Sequence, residues 1–278
     1  MEKAHLLKFS QWFRGYTGEI FDSLDEDNRK MVHFKMRHTQ RVRKMIVQLA
    51  ESNGLDRSQL LLANAIGLFH DIGRFPQWAM WSTFNDAVSA NHGSFGAAIL
   101  SDAEILQVLS PEEQNIILVA VQNHNARSLK TDLTEEETLF LKLIRDADKL
   151  DIFHVHANYR PGEDPCLDKM MKGGLPNEPT VSDEIVDQLL AGKIPSKRCV
   201  RTQSDAKLIV LGWVFDLSFS LCHQIVIENS IVDILCKALP SNQKIQDLKN
   251  LMLQHLKKHA SDRFSIDRYP NWQPISAS

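Results

Sequence analysis

The sequence has little cysteine, and its few cysteines are scattered. There are four in 278 residues, and no two of them form a Cys-x-x-Cys pair. They are Cys166, Cys199, Cys222 and Cys236. This pattern excludes a disulfide framework and is typical of reduced thiols in an intracellular protein. The segment Met1–Ser10 also lacks the apolar core of a signal peptide, so we expect a cytoplasmic protein.

A long uninterrupted apolar run is absent as well. The most apolar stretch, Leu208–Ile227, is interrupted by Asp216, His223 and Gln224. A membrane-spanning helix needs about 20 consecutive, mostly apolar residues. We therefore expect a buried core helix in this stretch and no membrane partner.

The chain has no strong excess of charge of either sign. Lys and Arg number 32 against 35 Asp and Glu, which gives a formal net charge of -3. This balance excludes the broad basic surface of a general nucleic-acid-binding protein, although a local group of cations can still bind a phosphate. The hydrophobic share of 43% is ordinary for a globular protein. Because a chain of this length can bury a large core, we expect residues 1–278 to form a single domain.

Sustained alternation of apolar and polar residues, the pattern of β-strands, is also absent. Helical periodicity extends along nearly the whole chain, which predicts an all-α fold. The runs Ser110-Pro111-Glu112-Glu113 and Thr134-Glu135-Glu136-Glu137 are capping boxes and predict two helix starts. The predicted helices cover about 2–24, 27–52, 58–72, a segment beginning at 111, 134–156, 204–239 and 242–259.

The segment 158–203 differs from the rest, because five prolines and four glycines interrupt it. It predicts a long loop with one short helix, Ser182–Ala191. Long loops inside compact domains are often lids, so we expect this one to cover the site. The alternative is a surface excursion that packs elsewhere. Additional C-terminal helices fill 204–260, and the tail after Asp262 is predicted to be irregular.

The most informative segment is Leu68-Phe69-His70-Asp71-Ile72-Gly73-Arg74. An adjacent His and Asp on one helix can both reach a metal only if further ligands arrive from other segments. Four residues can serve as such partners, because each lies at an inward-facing position of a stretch with helical periodicity. They are His38, His92, His124 and Asp148. Four imidazoles and two carboxylates match the mixed ligands that first-row divalent metals accept.

Any one of these histidines is more simply explained as a core residue with a hydrogen bond. The complete set is not explained so simply, because several inward histidines and carboxylates on separate helices rarely all have separate structural reasons for being buried. An inward carboxylate such as Asp148 needs a cation or several donors. The remaining histidines lack this placement and are expected at surfaces, at caps or in supporting positions: His5, His33, His154, His156, His223, His255 and His259.

The chain resembles the HD-domain superfamily of metal-dependent phosphohydrolases in the order and context of His38, His70-Asp71 and Ala147-Asp148-Lys149-Leu150-Asp151. The resemblance extends from about His33 to His156. It implies an all-helical HD-domain bundle, with a core at about 27–157, whose central helices each contribute ligands. By position the last ligand is Asp148 rather than Asp146.

Two further segments, Asn91–Leu100 and Val121–His124, are similar to those that supply extra histidines in the binuclear branch of that superfamily. The resemblance implies two metals bridged by Asp71. The first is held by His38, His70, Asp71 and Asp148, and the second by Asp71, His92 and His124. The chain departs from the cyclic-di-GMP phosphodiesterases of the HD-GYP type, because Asn125 replaces their second His and the Gly-Tyr-Pro signature is missing.

The resemblance implies a phosphohydrolase that cleaves a nucleotide or another small phosphate ester or diester with a metal-activated water. Asp71, Arg74, Lys149 and Asp151 are the candidate catalytic residues: Arg74 and Lys149 for phosphate contacts, Asp151 for orienting a water or a ligand. A solvated charge is an equally simple explanation for Arg74 and the simpler one for Lys149. The alternative is a di-iron oxygenase of the inositol-oxygenase-like type, since similar ligands do not fix the reaction. A binding module with a dead site is the weaker alternative, because no ligand position is lost.

The expected cofactor is one or two divalent transition metals per chain. The ligand mixture favours iron or manganese, with nickel, cobalt, zinc or magnesium as other candidates. The expected partner is a small anionic phosphorylated substrate, and the sequence leaves a homodimer open.

Overall fold

The computed structural model describes residues 1–260, which divide into two compact units, Met1–Asp148 and a second unit that begins at Lys149. The described residues form helices and no strand, which confirms the all-α prediction. Within them, no helix has the length and apolar character needed to cross a membrane. The irregular tail predicted after Asp262 lies outside the described residues, and the single-domain expectation stays a prediction.

The first unit is built from long amphipathic helices, as the sequence predicts. Helix α2 packs on α3, α3 packs on α6, and α5 packs on α6. Their bounds are α1 Lys3–Asp22, α2 Glu26–Ser52, α3 Arg57–Phe69, α4 Arg74–Trp81, α5 His92–Asp102, α6 Pro111–Asn123 and α7 Glu135–Asn158, whose last part belongs to the second unit.

Both predicted capping boxes are confirmed. The Glu113 amide donates to Ser110 Oγ at 3.2 Å, and the Ser110 amide donates to the Glu113 carboxylate at 3.4 Å. Likewise the Thr134 amide donates to Glu137 Oε2 at 2.7 Å and the Glu137 amide donates to Thr134 Oγ1 at 3.2 Å. These pairs satisfy amides that have no partner inside the helix. They fix the starts of α6 and α7.

The helix predicted over 58–72 is too long. Helix α3 ends at Phe69, and a tight turn, His70–Gly73, leads directly into α4. Pro76 lies in the first turn of α4, where its missing N–H has no intrahelical acceptor to lose. His70 and Asp71 therefore lie on a turn between two helices and not on one continuous helix.

The second unit holds shorter helices than the sequence predicts. The 158–203 segment contains two helices, α8 Pro165–Lys172 and α9 Asp183–Leu190, instead of one. The predicted helix 204–239 is wrong, because it is divided into α10 Gln203–Gly212, α11 Ser220–Glu228 and α12 Ile231–Lys237. Helix α13, Gln243–His259, agrees with its prediction.

A local capping contact accounts for α8, and a long-range contact lies at the break between α10 and α11. Asp164 caps α8 by accepting from the Cys166 and Leu167 amides at 2.8 and 3.2 Å, ahead of Pro165 at the first helical position. After α10, Lys149 Nζ donates to the backbone oxygen of Asp216 at 2.8 Å, so this carbonyl accepts from a side chain. Interactions between distant residues thus override the apolar periodicity that suggested one long helix.

Candidate metal centre

One pair of imidazoles joins α2 to the turn after α3. His38 and His70 are both buried, and their Nε2 atoms lie 3.2 Å apart. His70 Nδ1 donates to the Gly67 carbonyl at 2.9 Å, which leaves Nε2 as the nitrogen that carries a lone pair. At Gly67 any Cβ would lie 2.8 Å from Ile46 Cγ2, so glycine permits the close approach of α2 and α3.

A second pair joins the start of α5 to the end of α6. His92 and His124 are buried, with their Nε2 atoms 3.0 Å apart. His124 Nδ1 donates to the Val121 carbonyl at 2.8 Å, and His92 Nδ1 donates to the Asp86 carboxylate at 2.7 Å. Both rings are therefore fixed by their Nδ1 atoms, and both direct Nε2 to the same place.

The carboxylate of Asp71 lies between the two pairs. Its Oδ2 is 3.3 Å from His38 Nε2 and 3.7 Å from His70 Nε2. Its Oδ1 is 3.5 Å from His92 Nε2 and 3.6 Å from His124 Nε2. Each oxygen thus faces one histidine pair, which is the arrangement expected of a carboxylate shared by two cations.

Asp148, on α7, lies beside the first histidine pair. Its Oδ1 lies 3.2 Å from His38 Nε2 and 4.0 Å from His70 Nε2. Although burial raises the pKa of Asp148, the hydrogen bond from His38 and the neighbouring imidazoles lower it on balance. These distances support Asp148 as a ligand, and its choice over Asp146 stays a prediction.

The donor set fits divalent cations. At His70, His92 and His124 the protonated nitrogen is Nδ1, so unshared pairs of Nε2 face one another at close range. Burial lowers the pKa of His70 to about 4 and, together with the charge of Arg74, that of His92 to about 3. Near neutral pH these two rings are therefore uncharged, and protons on them do not balance the negative charge of the neighbouring carboxylates. Two groups of His and Asp, sharing Asp71, could hold a metal: His38, His70 and Asp71, and Asp71, His92 and His124.

A family model for the HD domain matches residues 36–152, a range that holds all six candidate ligands. The chain carries an HD domain. Neither the curated proteins nor the solved structures include one that matches the chain. HD domains are commonly metal-dependent phosphohydrolases.

Glycines let the helices of the HD domain approach closely enough to bring the ligands together. A Cβ at Gly73 would overlap the backbone oxygen of His92 and lie 2.8 Å from the Gly96 amide nitrogen. A Cβ at Gly93 would lie 2.7 Å from the Gln122 backbone oxygen. Because only glycine fits at such distances, these positions hold His92 beside the turn that carries Asp71.

Asp86 is the supporting residue of the HD domain whose role the sequence did not reveal. It accepts from His92 Nδ1, from Arg74 at 2.8 Å, from Gln77 at 3.0 Å and from Asn125 at 3.1 Å. Burial raises the pKa of Asp86, but the His92 hydrogen bond and the Arg74 charge outweigh it and lower the pKa well below its ordinary value. Asn125, where the HD-GYP type has a histidine, here donates to the carboxylate that orients His92.

Lys35, one turn before His38, places an ammonium group at the centre. Its Nζ lies 2.7 Å from Asp71 Oδ2 and 5.4 Å from the Phe84 ring centroid. Burial raises the pKa of Asp71, but Lys35 and the histidines outweigh it and hold the pKa well below its ordinary range. In the sequence, the feature that points to this lysine is its position three residues before the candidate ligand His38.

The other predicted catalytic residues have structural partners. Arg74 donates to the Phe84 carbonyl at 2.6 Å besides Asp86, while its buried Nε has no hydrogen-bond partner and lies 3.7 Å from Asp71 Oδ1. In the second unit, Lys149 pairs with the Asp216 carboxylate at 2.6 Å, and Asp151 is buried. Catalytic roles for these residues stay predictions.

Proposed function

We propose that this protein is a binuclear, metal-dependent phosphohydrolase, not of the GYP type, that acts on a nucleotide or another small phosphate ester. The observation that carries the proposal is Asp71, whose two carboxylate oxygens each face a separate pair of histidine nitrogens. A single structural cation would need only one of these groups.

The distances support two groups of residues that would hold the cations. The first group is His38, His70, Asp71 and Asp148, and the second is Asp71, His92 and His124. Mixed nitrogen and oxygen ligands favour iron or manganese. When bound, such cations neutralise phosphate charge and acidify water to near neutral pH.

Two cationic side chains support an anionic substrate rather than a neutral one. Lys35 Nζ lies at Asp71 with its side chain 14% exposed, so it can donate to a phosphate oxygen. The buried Nε–H of Arg74, which has no hydrogen-bond partner, can donate to another oxygen close to Asp71. These donors would orient the phosphoryl group and stabilise the charge that develops on its oxygens.

The test is hydrolysis under strict anaerobiosis. We expect the manganese-loaded protein to release phosphate or a nucleoside monophosphate from a panel of phosphate monoesters and diesters without oxygen. An identically purified Asp71→Ala protein serves as the control for contaminating phosphatases. Product that forms only with stoichiometric oxygen consumption would instead identify the di-iron oxygenase, which has a similar ligand set.

A further inference from the structure

A second histidine cluster lies in the second unit, between α11 and α13. His255 and His259 are one turn apart on α13, and His223 lies on α11, which packs against α13. One ring nitrogen from each of the three lies within 4.8 Å of the others. Three imidazoles from two helices are a common way to build a divalent metal site.

The imidazole of His223 is the buried member of this cluster, and only one of its two ring nitrogens has a hydrogen-bond partner. His223 is 3% exposed, and its Nδ1 donates to the Phe219 carbonyl at 2.9 Å. Its Nε2 is buried without any hydrogen-bond partner. Because Nδ1 carries the proton, this Nε2 holds an unshared pair that nothing in the described part of the chain satisfies, which is costly in a folded protein.

The outer rings are arranged to complete a site. His259 Nδ1 donates to the His255 carbonyl at 2.8 Å, so its Nε2 is again the nitrogen with an unshared pair. The ring centroids of His255 and His259 are 4.3 Å apart, and those of His223 and His259 are 5.4 Å apart. Exposure increases from buried His223 through His255 to exposed His259, so an ion can enter from solvent.

We propose that His223, His255 and His259 form a second metal site, separate from the candidate metal centre. Three imidazole ligands without a carboxylate select borderline cations, zinc, nickel or copper, over manganese or magnesium. Such an ion would link α13, the last described helix, to α11, and would leave a coordination position open to solvent. Burial lowers the pKa of His223 to about 4, so its ring is neutral near neutral pH.

The test measures zinc binding to the full chain without a polyhistidine tag, in the Asp71→Ala background. That substitution weakens the candidate metal centre, so the two sites are counted separately. Competition with a chromophoric chelator should show that His255→Gln together with His259→Gln removes one zinc equivalent or weakens it at least tenfold. His33→Gln, which replaces an exposed histidine outside both clusters, should bind zinc like its parent.

A spectroscopic readout makes the result specific to nitrogen ligands. Copper bound to the Asp71→Ala protein should show electron paramagnetic resonance splitting from several imidazole nitrogens, and the double variant should lose it. Added zinc should slow amide hydrogen exchange in α11 and α13 of the parent, and it should not do so in the double variant. Equal zinc stoichiometry and affinity in the parent and the double variant would overturn the proposal, as would a parent that binds no zinc.

Discussion

At the scale of single residues, Asp71 and Asp148 differ in what they face. Asp71 presents one oxygen to each histidine pair, whereas Asp148 Oδ1 lies near His38 and His70 only. Both are carboxylates on predicted apolar faces, and only the family resemblance, not residue type or periodicity, distinguishes a shared ligand from a terminal one. The distances support Asp71 as the shared ligand, and this proposal predicts different consequences when each carboxylate is removed.

Asp71→Ala and Asp148→Ala should therefore reduce metal binding at the candidate metal centre to different extents. We expect Asp71→Ala to reduce bound manganese or iron at both positions, because it removes an oxygen from each group. Asp148→Ala should weaken mainly the group of His38 and His70. Metal analysis after equilibrium dialysis checks the stoichiometry, and circular dichroism checks that the helices persist. Equal metal content in the two variants would contradict a shared Asp71.

Lys35→Ala should weaken catalysis through the substrate. A hydrogen bond from a charged group contributes about 1.5–3 kcal/mol, so kcat/KM should fall roughly 10- to 150-fold. The matched control is Lys30→Ala on the same helix, since Lys30 pairs with exposed Asp27 at 2.7 Å. Steady-state kinetics with the best substrate measures both. If the two variants have the same kcat/KM, Lys35 does not contact the phosphate.

His156 gives a pH dependence of stability that is independent of the metal centre. Burial, together with the charge of Lys207, lowers the pKa of His156 to about 4, from an ordinary value of 6.5. A lowered folded-state pKa stabilises the fold above about pH 6.5, and this stability is lost as the pH falls towards 4. His156→Gln should therefore flatten the fall in unfolding free energy across this window.

Chemical denaturation at several pH values measures that slope for the parent, His156→Gln and His33→Gln. The exposed His33 is the control, and its loss should leave the slope unchanged. A slope that is the same in the parent and in His156→Gln would contradict the assignment of this titration to His156.

At the scale of helices, close backbone approach determines whether the ligands meet. Gly73 lies against the first turn of α5, which begins at His92, and a Cβ there would overlap the His92 backbone oxygen. Alanine can be accommodated only if α5 moves. Since α5 supplies one histidine of the second pair, such a movement acts on one group of ligands.

Gly73→Ala should consequently lower the affinity of the second cation position and destabilise the first unit. The matched control is Gly15→Ala in the middle of α1, where a Cβ would meet nothing within 4 Å. That substitution should stabilise the helix by about 0.5–1 kcal/mol, because alanine is the better helix former. Thermal unfolding and metal titration measure both effects. Unchanged metal affinity in Gly73→Ala would show that α5 does not need this contact.

Short-range sequence patterns were sufficient to predict some helices and not others. The capping boxes at Ser110 and Thr134 act over three residues, so the sequence predicts α6 and α7 directly. The HD motif likewise identifies the candidate ligands, because their types and order carry the pattern. The break between α10 and α11 contains a contact between Lys149 and Asp216, 67 residues apart, and periodicity contains no such information.

The same limit applies to Asp86. Its partners include Asn125, 39 residues further along the chain, and its sequence context resembles an ordinary helix start. Only the folded structure brings it to His92 Nδ1. Residues that orient ligands are thus harder to predict than the ligands, because their positions depend on tertiary contacts rather than on a spacing.

At the scale of the whole molecule, the candidate ligands come from α2, the turn after α3, α5, the end of α6 and α7, all within Met1–Asp148. A cation held by these segments links parts of the chain that are far apart in sequence. Binding to the folded state alone therefore stabilises the fold of that unit by mass action.

Manganese should accordingly raise the melting temperature of the protein. At a free concentration about 100 times Kd, one site stabilises by about 2.7 kcal/mol, which corresponds to roughly 5–10 °C for a domain of this size. Manganese tests the candidate metal centre specifically, because three imidazoles without a carboxylate bind it weakly. Differential scanning calorimetry should show the shift in the parent and in His255→Gln with His259→Gln, but not in Asp71→Ala. A shift of equal size in Asp71→Ala would mean that manganese binds outside the candidate metal centre.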